Sequence, residues 1–326
     1  MFKKIPKIRS ADELLDTAFK RAKKISIYDK DRFYRLKKTI IARVDSFATH
    51  ITSTLEKYVK GFPSIDNLPR FYQELIDIKI DVNKLRKSLG AVDWARKTCQ
   101  SIYMKQASSL KKIGSLDFLK QKQKEIYGRI SSVIKQVDKE LRMLEEAESI
   151  IKRFPEISDI PTVVIAGYPN VGKSALLKML SSAKPKVAAY PFTTQNIHVG
   201  HREETTGYTK MRCQLIDTPG LLDRALDERN KIEKQAIAAL AHLADLIVFI
   251  VDPTGHCGYT IEEQRRLLRR VKKMFPSVPV IVVENKSDIM KRKSPYLKIS
   301  CTTGEKIPAL MEKIIEELDQ SSKQRP

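Results

Sequence analysis

The chain has 326 residues, with 61 Lys or Arg against 39 Asp or Glu, a formal net charge of +22. Hydrophobic residues at 42% and charged residues at 31% fit a soluble globular protein and argue against global disorder. The longest apolar stretch, Leu246 to Val251, is far too short to cross a bilayer, and no apolar signal-peptide core follows the basic start MFKKIPKIRS.

At roughly 150 residues per domain, the length suggests about two domains. The charge needs a polyanion, either nucleic acid or an anionic membrane surface. Cys99, Cys213, Cys257 and Cys301 lie far apart with no CxxC pair. Neither a disulfide framework nor a zinc site is expected, and a reducing, cytoplasmic setting is the default. His198 and His201, three apart in a predicted strand, face opposite sides and make a poor metal pair.

Only Gly61, Gly90, Gly114 and Gly128 of the twelve glycines fall in the first 160 residues. That half reads as long helices. A short helix is expected near Ala11 to Lys24. From Ile40, the residues Val44, Phe47, Ile51, Leu55 and Tyr58 recur at helical spacing. A short helix follows near Arg70 to Ile78, and a long one over Asp81 to Lys112. The series Ile126, Ile130, Val133, Val137, Leu141, Leu144 and Ile151 paints one stripe of a further long helix. The simplest assembly is an antiparallel bundle. FPSIDNLP (62–69) and FPEISDIP (154–161) read as helix stops, because proline cannot continue a helix. The second is also the expected hinge, giving domains 1–158 and 159–326.

From Thr162 the pattern changes. TVVIA, IHVGH, MRCQLID, DLIVFIVD, VPVIVVE and YLKIS read as strands. Helices are expected near 173–182, 228–243, 260–274 and 304–320. Strand–helix alternation with near-continuous apolar strands predicts a covered, mainly parallel sheet.

The first of these strands runs into Gly167-Tyr-Pro-Asn-Val-Gly172-Lys173-Ser174, a GxxxxGK[ST] phosphate loop. Its glycines let the backbone curl into a ring of N–H donors, and the following helix start adds positive potential. Gly167, Tyr168, Pro169, Asn170, Val171, Gly172, Lys173, Ser174 and Ala175 are the expected nucleotide contacts. Lys173 would reach the β- and γ-phosphates and the Ser174 hydroxyl would bind magnesium. Asp217-Thr-Pro-Gly220 closes the strand MRCQLID, where a carboxylate can hold magnesium, usually through water. Gly220 would approach the γ-phosphate with no Cβ in the way.

Asn285-Lys-Ser-Asp288 closes VPVIVVE. The Asp288 carboxylate can accept two N–H bonds from guanine, which adenine cannot supply. The Lys286 stem would lie against the nucleotide, and Asn285 would brace the phosphate loop. The last element, Ser300-Cys-Thr-Thr-Gly-Glu305, offers a backbone amide to the guanine oxygen. Ser300, Cys301 and Thr302 are the residues expected there.

This ordered set resembles the Ras-like GTPases of the translation-factor-related class. Tyr190-Pro-Phe-Thr193-Thr194 resembles the first switch of Obg-type GTPases. The resemblance gives Thr194 the role of covering magnesium and the γ-phosphate, with Thr193 as the alternate. GYPNVGKS, YPFTT, IHVGH, DTPGLLD, ERNKIE, CGYTIEEQ and the helical segment FPSIDNLPRFYQELI are similar to the nucleolar GTP-binding (NOG) family of ribosome-assembly GTPases, in a short archaeal-type form. The resemblance implies an α/β Ras-like P-loop GTPase domain preceded by an all-α helical bundle. It also implies GTP and GDP as ligands, Mg2+, large-subunit ribosomal RNA and precursor large subunits as partners, and no integral membrane association. A monomer is expected. Lys173, Thr194, Gly220 and Asn170 are the candidate catalytic set.

Leu221 stands where Ras-type enzymes use a water-orienting Gln. Slow intrinsic hydrolysis is expected, or help from another group. In related GTPases with a GxxNxGKS loop, an Asn at the Asn170 position helps hold a potassium ion; here Asn170 either does this or merely stabilises the turn.

The charge is uneven. Residues 1–160 carry 35 basic and 21 acidic groups, and residues 1–43 carry 14 and 5. Lys3, Lys4, Lys7 and Arg9, then Arg21, Lys23 and Lys24, then Arg35, Lys37 and Lys38 interleave with Phe19, Tyr28, Phe33 and Tyr34. Each cluster alone fits a solvated face, and those aromatics fit a core. The whole excess fits RNA phosphates and stacked bases. Arg265, Arg266, Arg269, Arg270, Lys272 and Lys273 form a second basic stretch. The alternative is a GTP-gated membrane-surface or scaffold protein with little intrinsic hydrolysis.

Overall fold

The computed structural model describes residues 2–188, 197–206, 209–217, 219, 222 and 237–323. By internal contacts the chain divides into two compact units. One is Met1–Asn67 with Lys79–Lys152, the other Leu68–Ile78 with Arg153–Pro326. The division after Lys152 precedes the expected 158/159 boundary. It also moves Leu68–Ile78 to the second unit, for a visible reason. The Tyr72 hydroxyl donates to the Pro155 carbonyl at 2.8 Å and accepts from the Ile157 amide at 2.9 Å. Glu74 meets the His242 ring at 2.8 Å.

In the first unit, helix starts follow the capping residues. Ser10 and Glu13 exchange bonds in a capping box that opens α1 (Ala11–Lys23). Asp31 accepts from the Phe33 and Tyr34 amides to open α2 (Arg32–Gly61). This helix begins well before its buried apolar stripe, because its first turns, Arg32 to Lys38, are largely exposed. After α3 (Arg70–Ile80), which spans the division, Asp81 caps α4 (Val82–Lys112) and Ser115 caps α5 (Leu116–Gln136).

The stripe from Ile126 to Ile151 is two helices, not the single one expected. α5 ends at Gln136 and α6 runs Asp138–Ile151. Between them Val137 has φ −102° and ψ 17°, outside the helical range. Asp138 accepts the Ala11 amide at 2.9 Å, a tertiary bond at the break. The apolar spacing continues across the break, so periodicity alone cannot reveal it.

α2 packs on α1, α4 and α5, and α4 packs on α5 and α6. Phe47, Ile51, Leu55, Val92, Ala95, Ile126, Ile130 and Leu141 are fully buried between them. Truncating such a Leu or Ile to Ala typically costs about 2–5 kcal/mol. No helix of the described residues is long and apolar enough to cross a membrane.

Among the described residues, the second unit holds a seven-stranded sheet. Its strands are β1 (Thr162–Ala166), β2 (Lys186–Ala188), β3 (Ile197–Thr206), β4 (Thr209–Asp217), β5 (Leu246–Val251), β6 (Val280–Glu284) and β7 (Leu297–Lys298), in the spatial order β2-β3-β4-β1-β5-β6-β7. β1 pairs in parallel with β4 and β5, β5 with β6, and β6 with β7. β3 is antiparallel to both its neighbours.

β1 and β5 are buried throughout, which is why their sequences are continuous apolar runs. Val163, Ile165, Val248, Ile250 and Val283 form a core with Leu176, Leu177 and Leu180 of α7 (Lys173–Leu180). Leu310 and Ile314 of α9 (Ile307–Lys323) join it. α8 (Ile261–Met274) packs against β5. Residues 237–241 are helical, and the rest of the helix expected at 228–243 lies mostly outside the described residues.

The three-residue β2 is not anticipated, being too short to show alternation. The topology puts the ends of β1, β4, β5, β6 and β7 at one edge. In open α/β sheets, ligands bind outside the carboxyl ends of the strands.

Candidate functional site

The loop after β1 has the geometry its glycines permit. Gly167 has φ 143°, and a Cβ there would meet the Ile250 carbonyl oxygen at 2.7 Å. Gly172 has φ 106°, and a Cβ there would meet Asn285 Nδ2 at 2.2 Å. Between them Asn170 is left-handed at φ 62° and exposed, a conformation Asn tolerates better than most residues. α7 starts directly after Gly172, and no side chain caps it. A helix start of this kind suits an anion.

Lys173 is buried, 8% exposed, with its ammonium donating to the Gly167 and Tyr168 carbonyls at 2.9 and 2.8 Å. The cation therefore lies across the loop that its own backbone forms. The Ser174 hydroxyl donates to Asp217 Oδ2 at 2.5 Å. The parallel pairing of β1 and β4, with Ile165 opposite Asp217, brings these two residues together.

On the other side, Asn285 Nδ2 donates to the Val171 carbonyl at 2.8 Å, and its Oδ1 accepts the Cys301 amide at 3.0 Å. This is the brace expected of Asn285. Asp288 is exposed, and its Oδ1 accepts from the wholly buried Ser300 hydroxyl at 2.5 Å. Ser300 Oγ in turn accepts from the Thr302 and Thr303 amides at 3.2 and 3.1 Å. These loop amides thus organise Asp288 through Ser300. The Cys301 thiol is pushed up to about 11 by burial, which leaves it unreactive at neutral pH.

Sequence reasoning missed several residues here. Asp252, just past β5, is wholly buried and pairs with Lys286 at 2.5 Å. Burial raises its pKa, but hydrogen bonds from Lys286 and Thr254 outweigh this and hold the carboxyl below its usual range. Gln264 of α8 is wholly buried against the Asp252 backbone. Tyr259 stacks on Tyr168 of the phosphate loop, with ring centroids 3.9 Å apart. The available signal was position: Asp252 follows an apolar strand at the same edge as every other motif.

Thr194 and Gly220 lie outside the described residues, as do Thr193 and Leu221. The basic segments sort differently. Phe19 packs on Phe47 and Tyr127, with centroids at 4.6 and 5.3 Å, so it belongs to the core edge. Tyr28 is 83% exposed and Tyr34 53%. On α8, Leu267, Leu268 and Val271 are buried while Arg265, Arg266, Arg269, Lys272 and Lys273 are exposed.

The model for the NOG1 N-terminal helical domain matches residues 2–158, and that for Nucleolar GTP-binding protein 1 (NOG1) matches residues 231–288. An uncharacterized protein of Methanocaldococcus jannaschii is 40% identical over 293 residues, covering 89% of this chain and 81% of that one. The chain belongs to the nucleolar GTP-binding protein 1 family. The Kluyveromyces lactis nucleolar GTP-binding protein 1 is 33% identical over 294 residues, 89% of this chain and 45% of its own length. The Saccharomyces cerevisiae protein gives the same figures. The chain thus spans about half the length of these named family members. In family terms, a helical N-terminal domain precedes an α/β domain of the Ras-like P-loop GTPase fold.

Proposed function

We propose that the second unit binds GTP, hydrolyses it to GDP and phosphate, and so switches affinity for a precursor of the large ribosomal subunit. The observation that carries this reading is convergence. Lys173, the Ser174–Asp217 pair and the Asn285–Asp288–Ser300 group meet at one strand edge. Phosphate and base recognition would then fall side by side along that edge. Membership of a GTP-binding family supports it.

Ser174 Oγ and Asp217 Oδ2 are two hard oxygens in contact, a donor set that fits magnesium, which takes its remaining ligands from water and phosphates. When bound, the ion would neutralise charge on the β- and γ-phosphates. Lys173 would exchange its two carbonyl partners for phosphate oxygens. Thr194 and Gly220 would contact the γ-phosphate and lose that contact on hydrolysis. Asp288 would read the guanine edge, held in place by Ser300. With Leu221 unable to orient water, Asn170 would help position a potassium ion.

The basic first unit supplies the ribosomal RNA surface in this reading. Tyr28 and Tyr34, exposed among cations, are the residues placed to stack on unpaired bases. The test is multiple-turnover phosphate release with and without large ribosomal subunits. The subunits should raise the rate. No release in either condition would leave a nucleotide-binding scaffold. RNA affinity should also fall linearly with salt on a log–log plot, and a flat slope would remove the phosphate contacts.

A further inference from the structure

Asp252 belongs to none of the motifs read from the sequence, yet both oxygens of its carboxylate are held in place at the strand edge. Its Oδ1 accepts the Thr254 amide at 2.9 Å and the Thr254 hydroxyl at 2.6 Å. Its Oδ2 accepts the Cys257 amide at 2.9 Å and the Lys286 ammonium at 2.5 Å. Gln264 grips its backbone from α8, accepting the Asp252 amide at 2.8 Å and donating to its carbonyl at 2.9 Å. With four donors on the carboxylate and two bonds on the backbone, Asp252 has no freedom to follow a moving lysine.

Lys286 is the partner that must adapt. It stands in the left-handed region at φ 63°, with its side chain 20% exposed. Val251 and Glu284 are neighbours in register, so Asp252 and Lys286 leave adjacent parallel strands. An ammonium fixed at Asp252 draws the four methylenes of Lys286 across the edge between those strands.

We propose that Asp252 is a positioning residue for nucleotide binding: it anchors the Lys286 ammonium so that the lysine stem forms a fixed apolar shelf under the purine ring. This rests on the reading of Asn285 to Asp288 as the base site. An unanchored lysine would lose rotamer freedom each time nucleotide bound, and an anchored one has already lost it. The shelf meets the face of the base, whereas Asp288 meets its edge. Asp252 therefore sets affinity for purines in general and leaves the choice of purine to Asp288.

The experiment titrates the full chain with GDP, IDP and inorganic tripolyphosphate, as wild type, Asp252→Asn, Lys286→Met and the double variant. Each single variant should weaken GDP and IDP by the same factor, about tenfold. Tripolyphosphate, which has no base, should bind all four proteins alike and also reports an intact fold. The double variant should bind GDP no more weakly than the weaker single, because both remove one anchor. Unchanged GDP affinity in Asp252→Asn would overturn the proposal. So would a parallel loss of tripolyphosphate, or a double variant whose loss is the product of the singles. Failure of the wild type to bind GDP is a separate result, which removes the base-site reading itself.

Discussion

Asn285 Nδ2 donates to the Val171 carbonyl over 2.8 Å, tying the end of β6 to the middle of the phosphate loop. The same side chain accepts the Cys301 amide at 3.0 Å. One buried amide group thus ties the phosphate loop to the segments that follow β6 and β7.

Asn285→Ala removes both bonds and leaves a carbonyl and an amide without these partners. A loss of about 1–3 kcal/mol of stability is expected, together with weaker nucleotide binding. Urea unfolding and a GDP titration on the same sample check it. Gly172→Ala should be worse for binding, because its Cβ would strike Asn285 Nδ2 at 2.2 Å and its φ of 106° disfavours any side chain. Wild-type GDP affinity in Gly172→Ala would contradict the close packing described.

Lys173 spans its own loop through two carbonyls, and Ser174 reaches Asp217. Lys173→Ala should lower triphosphate affinity by at least about tenfold, a charge-assisted contact of the usual size. Ser174→Ala should lose the magnesium dependence of GTP affinity and keep most of the affinity measured without magnesium. Calorimetry with and without the ion separates the two effects.

Much of this was legible in the sequence, and the failures have physical causes. The phosphate loop, Asp217, Asn285 and Asp288 are read from spacing, because phosphate and guanine recognition constrain both residue type and position. Asp252 and Gln264 are not legible. Their work is tertiary, an ion pair across two strands and an amide clamp from a helix, and neither spacing nor composition marks it. The α5–α6 break is hidden because the apolar repeat runs through Val137 unbroken. The start of α2 is hidden because its exposed first turns lack an apolar stripe, though Asp31 is a proper cap. The bond from the Ser300 hydroxyl to Asp288 is likewise tertiary and carries no mark in the sequence.

Asp288→Asn replaces an acceptor-only carboxylate with an amide that can also donate. The preferred base should shift from guanine towards xanthine, whose exocyclic oxygen can accept that donor. Competition of GDP and XDP for the variant measures it. An unchanged guanine preference would sink the assigned base contact.

Asn170, exposed at φ 62° in the phosphate loop, carries the potassium reading. Hydrolysis should be faster in potassium than in sodium at equal ionic strength. Asn170→Ala should erase the difference while GDP binding persists. Equal rates in the two salts for the wild type would assign Asn170 to the loop turn alone.

The proposed function stands or falls on a guanine-selective phosphate-loop site at the carboxyl edge of this sheet. Calorimetric titration of the chain with GDP and with ADP, in magnesium at one ionic strength, tests it most directly. Saturable one-site binding of GDP is expected, with ADP weaker by roughly a hundredfold or more, since adenine leaves Asp288 without its two donors. Equal affinity for the two nucleotides, or no binding of GDP, would contradict it.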